Sequence, residues 1–191
     1  GHSNSDMDCI GSSMGIYRLA RSLGKNAYIV NNSYGIGLEN FMEKAKEDDE
    51  YKNVIINKSE ALAKISPETL LIVVDTSKKN YVEIPELLEE TEKIVVIDHH
   101  RRSADYIENA TLIFQEVYAS SAAELVTELL QYAEVNVELT ELEAEALYAG
   151  IMMDTKNFTF KTGVRTFEAA AYLRKYGIDT IKVKKWFQSD L

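Results

Sequence analysis

The chain has 191 residues, 46% of them hydrophobic and 27% charged, the size and mix of one soluble globular domain with a core of its own. Lys and Arg number 21 against 31 Asp and Glu, a net charge of −10, which argues against a duplex nucleic-acid binder that grips phosphates with clustered basic residues. Bound metal ions can still invert the charge locally and let an acidic chain work on phosphates.

The chain opens Gly1-His2-Ser3, which reads either as a remnant fused ahead of the native residues or as a loop that begins abruptly. Apolar positions at helical spacing over 10–23, closed by Gly24, predict a first helix. Short, β-branched apolar runs at 27–30, 54–56, 70–74 and 94–97 read as strands buried on both faces, the mark of a parallel sheet with helices on each side. Between them the acidic stretch 47–50 reads as a solvated loop, and Ser59 as the cap of a short helix over 60–65 ended by Ser66-Pro67. Ser121-Ala-Ala-Glu124 and Thr140-Glu-Leu-Glu143 are capping boxes, each opening an apolar-striped helix. Thr166 caps another that runs through Arg174 and closes at Gly177, and residues 184–191 predict an amphipathic helix without a stop signal. The fold class is therefore α/β, one domain over 1–191, with a parallel sheet and flanking helices in 1–115 and a mostly helical part in 120–190. No apolar run approaches the roughly 20 residues of a membrane span and no signal peptide is visible, so no direct membrane insertion is expected. The single cysteine, Cys9, cannot form an internal disulfide, which points to a reducing, cytoplasmic setting.

Ligands of such sheets gather at the carboxyl ends of the strands. Asp75 directly follows 70–74, and Asp98-His99-His100 directly follows 94–97. All three histidines stand beside aspartates, the remaining one, His2, four residues before Asp6 with Asp8 two further on. Asp6-x-Asp8 can present two hard oxygen ligands from one loop; one aspartate suffices to cap the helix behind it, so the second needs another reason. Taken alone, Asp75 fits an Asp-Thr-Ser turn equally well. Asp154 ends the helix opened by Thr140, where the macrodipole disfavours an anion; a bound cation would relieve the conflict, as would water at an exposed last turn. Imidazole with several carboxylates suits Mn²⁺, with Mg²⁺, Co²⁺ and Fe²⁺ as competitors, and is a poor match to a thiolate-rich zinc site. Six ligands exceed the need of one ion. Two divalent ions about 3.5–4 Å apart would clamp a phosphoryl group and generate a hydroxide nucleophile, so hydrolysis of a phosphoanhydride or phosphodiester is the expected reaction class.

Together these residues resemble the DHH phosphoesterase superfamily. Gly1-His2-Ser3-Asn4-Ser5-Asp6-Met7-Asp8, Val74-Asp75-Thr76, Ile97-Asp98-His99-His100 and Met153-Asp154-Thr155 match its four motifs in order and approximate separation, over nearly the whole chain. The resemblance favours His2 as native. Within the superfamily, Gly150 to Phe158, Lys161 to Ala170 and Ser120 to Val126 are similar to the catalytic domain of GdpP-type cyclic-di-AMP phosphodiesterases. Ser5 replaces a usual proline and Cys9 a usual small residue; neither is a ligand position, although the closeness of Cys9 to the site makes oxidation sensitivity worth testing.

The resemblance implies that His2 and Asp6 bind one Mn²⁺, that Asp8, His99 and Asp154 bind the other, and that Asp75 bridges the two. It further implies that His100 contacts the scissile phosphate, that Asp98 orients a neighbouring histidine, and that Arg165 either touches a substrate phosphate or is a surface residue at the entry to its helix. The implied function is Mn²⁺-dependent hydrolysis of cyclic-di-AMP to linear pApA. The alternatives are another hydrolase of the superfamily, acting on pApA, short oligonucleotides, pyrophosphate or polyphosphate, or a metal-binding regulatory module without turnover. A C-terminal DHH-associated domain that would hold the nucleotide is not matched, so weak activity is expected of this segment alone. The implied parent is membrane-anchored with this domain on the cytoplasmic side, and the apolar stripe of the terminal helix suits a homodimer.

Overall fold

The protein is described here by a computed structural model over residues 1–186. It places α1 at Met7–Ser22, β1 at Ile29–Val30, α2 at Glu39–Glu47, β2 at Ile55–Ile56, α3 at Lys58–Lys64, β3 at Leu71–Val74, β4 at Ile94–Asp98 and β5 at Leu112–Gln115. Then follow α4 at Ala122–Gln131, α5 at Glu141–Asp154, α6 at Val164–Arg174 and α7 at Thr180–Lys185. β1 and β2 form a parallel pair, and β3-β4-β5 a parallel sheet in that order. This is the expected α/β class, with every strand among the described residues lying before residue 116 and helices making up the ordered elements after it.

All four expected strands are present, each close to its apolar run. β5 is an addition: its run Leu112-Ile113-Phe114 is as short as that at 54–56, and it lies at the sheet edge with Leu112 exposed. The helix α2 is a second addition; it buries Phe41, Met42 and Ala45 behind Leu38, an i, i+3, i+4, i+7 stripe. Of the acidic stretch, Glu47 ends α2, Asp49 is exposed, and Glu50 meets Arg18 and Tyr17. α3 is capped by Asn57, not Ser59: the Asn57 side chain accepts from the Glu60 amide at 3.0 Å and Glu60 returns the bond at 2.9 Å. At Ser121 only half the capping box closes, because Glu124 turns instead to Ser120 and Thr166. Thr166 sits inside α6, accepting from the Gly163 amide at the cap. The Thr140 box forms as expected. α7 covers the start of the expected terminal helix, whose residues 187–191 lie outside the described residues.

The core is organised around α5, which is buried on nearly every side and packed against α1, α4 and α6. The closeness of α1 and α5 depends on glycine. A Cβ on Gly11 would stand 2.4 Å from the Ala146 carbonyl oxygen, and one on Gly150 would stand 2.9 Å from the Asp8 Cα. No helix among the described residues is long and apolar enough to cross a membrane.

These contacts make opposite forces measurable. Helix propensity favours Gly11→Ala by about 1 kcal/mol, but a collision with backbone cannot be relieved by a rotamer change, and overpacking costs about 1–3 kcal/mol. Urea unfolding of Gly11→Ala is therefore expected to show a net loss of stability. Gly24→Ala meets no neighbour and suffers only its positive φ of 72°, a cost of about 1–2 kcal/mol.

Candidate metal centre

The polar residues singled out in the sequence converge at the carboxyl ends of β3 and β4. Asp75 follows β3 in the left-handed region at φ 61°, and Asp98 is the last residue of β4, with His99 and His100 behind it. Asp6 is the N-cap of α1, accepting from the Cys9 amide at 3.0 Å, and Asp8 lies in the first turn. Asp154 closes α5. His2 is brought in by its backbone, which bridges to Val82 while the Ser3 amide donates to the Tyr81 carbonyl.

Asp75 is the shared member. One of its oxygens, Oδ2, is 3.2 Å from His2 Nε2, which also stands 3.7 Å from Asp6 Oδ1. The other, Oδ1, is 3.4 Å from His99 Nε2, which also lies 3.7 Å from Asp8 Oδ2 and 3.2 Å from Asp154 Oδ2. Ligand-type atoms of His2, Asp6 and Asp75 thus fall in one cluster, those of Asp8, His99 and Asp154 in a second, and those of Asp75, His99 and His100 in a third.

Asp8 has two roles. It is fully buried, and its carboxylate accepts from the Ala122 and Ala123 amides, each at 2.7 Å, at the N-terminus of α4. That site stabilises negative charge, while burial and the Asp75 and Asp154 charges push the Asp8 carboxyl well above its ordinary range. Burial also works against Asp75, but His2 and His99 outweigh it and hold its pKa at about 2. The reciprocal effect lifts His2, through Asp6 and then Asp75, to about 11. Burial opposes ionisation of His99, yet Asp154 and Asp75 raise it to about 10. Asp75 Oδ1 and both ring nitrogens of His99 are buried with no hydrogen-bond partner. Buried polar atoms are rarely left so, and this set of hard oxygens and imidazole nitrogens fits divalent cations.

Asp98 engages His100, not His99. His100 Nδ1 is 2.8 Å from Asp98 Oδ1, to which the His100 amide also donates at 3.2 Å, while the ring remains half-exposed. Burial opposes the Asp98 charge, and hydrogen bonds from His100 and Ser77 overcome it, leaving the carboxyl below its ordinary range. Gln115 is a participant the sequence did not reveal: its amide donates to Asp98 Oδ2 at 3.3 Å and to the His100 carbonyl at 2.7 Å. Its place follows from β5, whose register sets Gln115 against Asp98. Arg165 is not brought into these clusters; its guanidinium makes a two-pronged contact with Glu128, 2.6 Å on each prong. Cys9 is buried.

Both raised imidazoles are protonated at pH 7 without metal, and a metal ligand must be neutral. Divalent-cation binding is therefore expected to release protons and to tighten as pH rises; calorimetry in buffers of different ionisation enthalpy reads that release directly. The same shifts act on stability. Raised pKa values stabilise the metal-free fold fully below the unfolded value of about 6.5, and that contribution is lost as pH climbs through about 10 to 11. Thermal melts in a chelator across this range test the sign.

Over its whole length the chain is 45% identical to the cyclic-di-AMP phosphodiesterase PdeA of Listeria monocytogenes, of which it spans 29%. Over 98% of its length it is 43% identical to the cyclic-di-AMP phosphodiesterase GdpP of Bacillus subtilis, again spanning 29% of that protein. In structure, an exopolyphosphatase-related protein from Bacteroides fragilis superposes on 99% of this chain with a TM-score of 0.80, over 56% of its own length and at 22% identity, a likeness of fold. Residues 1–151 match the N-terminal domain of the DHH family, and the chain belongs to that family.

Proposed function

We propose that this chain is the hydrolytic domain of a cyclic-di-AMP phosphodiesterase that opens its substrate to linear pApA with two divalent ions, Mn²⁺ foremost. The observation that carries the reading is the division of the Asp75 carboxylate between two groups of ligands, one oxygen toward His2 and the other toward His99. In this reading His2 and Asp6 hold one ion, Asp8, His99 and Asp154 hold the other, and Asp75 serves both. Two such ions supply Lewis-acid stabilisation of the phosphoryl oxygens and activate water at neutral pH. Identity of 45% to PdeA and 43% to GdpP over all or nearly all of this chain supports the choice of substrate.

The remaining work falls to side chains of the chain itself. Asp98, held charged by its own donors, fixes the His100 proton on Nδ1 and so leaves Nε2 for the reacting phosphate. Carrying a second proton on Nε2, His100 would stabilise charge developing on the phosphoryl oxygens or give that proton to the departing oxygen. The chain spans under a third of these curated relatives, so we place part of the nucleotide affinity in a further C-terminal domain, with this domain on the cytoplasmic side.

The test is hydrolysis by the Mn²⁺-loaded chain, and by the whole protein, of cyclic-di-AMP, pApA, pyrophosphate and a chromogenic diester, with a chelated control. Metal-dependent preference for cyclic-di-AMP is expected; preference for pApA or pyrophosphate would assign another substrate, and silence with two ions bound would point to a regulatory module. Two substitutions separate the roles. Asp75→Asn is expected to reduce bound metal along with turnover. His100→Ala should keep the metal and lower kcat by about 10²–10⁴.

A further inference from the structure

A cleft of about 640 Å³ opens beside Asp6, between the loop at residues 35–38 and the end of α5. Its walls combine Ile36, Leu38, Met152, Met153 and Trp186 with Lys156, Asn157 and Lys184. The volume lies in the range of sites that bury small organic ligands, roughly 300–1,000 Å³. Two ammonium groups line it against the one carboxylate of Asp6, in a chain of net charge −10.

Two local features shape it. Ile36 stands between Gly35 and Gly37, the latter at φ 93°, and is 98% exposed. Across the cleft, Lys156, Asn157 and Phe158 adopt φ of 47°, 59° and 61°, three successive non-glycine residues in the left-handed region. Such backbone persists only where its surroundings hold it. Here the Lys156 amide donates to the Met153 carbonyl at 3.1 Å, the Asn157 amide to the Met152 carbonyl at 2.8 Å, and the Phe158 amide to Thr155 Oγ1 at 2.9 Å. Phe158 packs inward between Tyr148 and Phe167, with ring centroids 5.5 and 5.9 Å away. The turn therefore anchors one side chain in the core and keeps the two before it at the cleft. Among the described residues no carboxylate pairs with Lys156, whose ammonium lies 5.6 Å over the Phe160 ring.

We propose that this cleft is a subsite for the nucleotide of a dinucleotide substrate that is not being cut, with its base against Ile36 and Met153 and its phosphate on Lys156. This rests on the phosphodiesterase reading above and adds where the second half of the substrate lies. Asp6 belongs both to the cleft wall and to the candidate metal centre, so a ligand in the cleft is continuous with the reacting phosphate. Pyrophosphate would have no use for the apolar wall.

Methyl NMR of the Mg²⁺-loaded chain, labelled at isoleucine and methionine, tests the subsite without turnover. Titration with 5′-AMP and with pApA is expected to shift the Ile36 and Met153 methyls, and inorganic phosphate is expected to leave them in place. Lys156→Gln should weaken pApA binding roughly tenfold, as loss of one charge-assisted hydrogen bond does; Ile36→Ser, at an exposed position, should weaken 5′-AMP binding. Shifts confined to other methyls, or unchanged affinity in both variants, would overturn the proposal. Hydrolysis of cyclic-di-AMP without these shifts sinks the subsite and spares the phosphodiesterase reading. The shifts with no such hydrolysis uphold the subsite and sink that reading.

Discussion

Crowding of negative charge in a nearly dry place is the constraint on which the rest of this structure depends. Asp8, Asp75 and Asp98 are buried, and Asp6 and Asp154 stand beside them. Isolated carboxylates in such a setting would neutralise by taking up protons. The fold opposes this with partners of two kinds, although burial and the Asp75 and Asp154 charges still raise the Asp8 carboxyl. Fixed amides at the start of α4 hold Asp8, and titratable imidazoles hold Asp75. The first kind is permanent, whereas the second can give up its protons to make room for cations.

That arrangement needs backbones in close register. Asp8 comes from α1, its amide partners from α4, and Asp154 from the end of α5. Gly150 lies under Asp8, with no room for a Cβ, and Gly11 lets α1 run against Ala146 one turn further along. The glycines therefore set how deep Asp8 sits and how near it comes to His99. Packing of α1 against α5 is thus a condition of the candidate centre's geometry as well as of stability, because a shift of an ångström would separate Asp8 from the other candidate ligands.

The ligand-type residues were legible because strand ends and helix ends announce themselves locally: an apolar run stopping at Asp75 or Asp98, a capping box opening α5 and an aspartate closing it. Their mutual distances were not legible, since they depend on the order of β3 and β4 and on glycine contacts far apart in sequence. Gln115 escaped notice for a related reason. It lies on an edge strand whose Leu112 is exposed, and only the register places it against Asp98. By contrast, α2 carried a readable stripe of Leu38, Phe41, Met42 and Ala45, obscured by the charged residues between them. Asn57 and Ser59 are both good caps, and the choice went to the one whose third successor is Glu60, able to close the box. For Asp98 the sequence offered two adjacent histidines, and side-chain direction at the strand end assigned His100.

Burial alone does not mark a site in this molecule, and three glutamates show why. Glu143 is fully buried, but it meets Arg18, Tyr51 and its own capping amide. Glu145 is equally buried between Lys44 and Lys182, and Glu124 is satisfied by Ser120 and Thr166. Each has donors that remain donors across the working pH range, so each is a structural tie between elements. The candidate centre differs in kind. Its donors are imidazoles that can lose their protons, and its geometry leaves Asp75 Oδ1 and the His99 nitrogens without hydrogen bonds. A buried carboxylate whose partners are all fixed side chains joins helices; Asp75, whose imidazole partners can lose their protons and whose Oδ1 lacks a hydrogen bond, is compatible with a divalent cation.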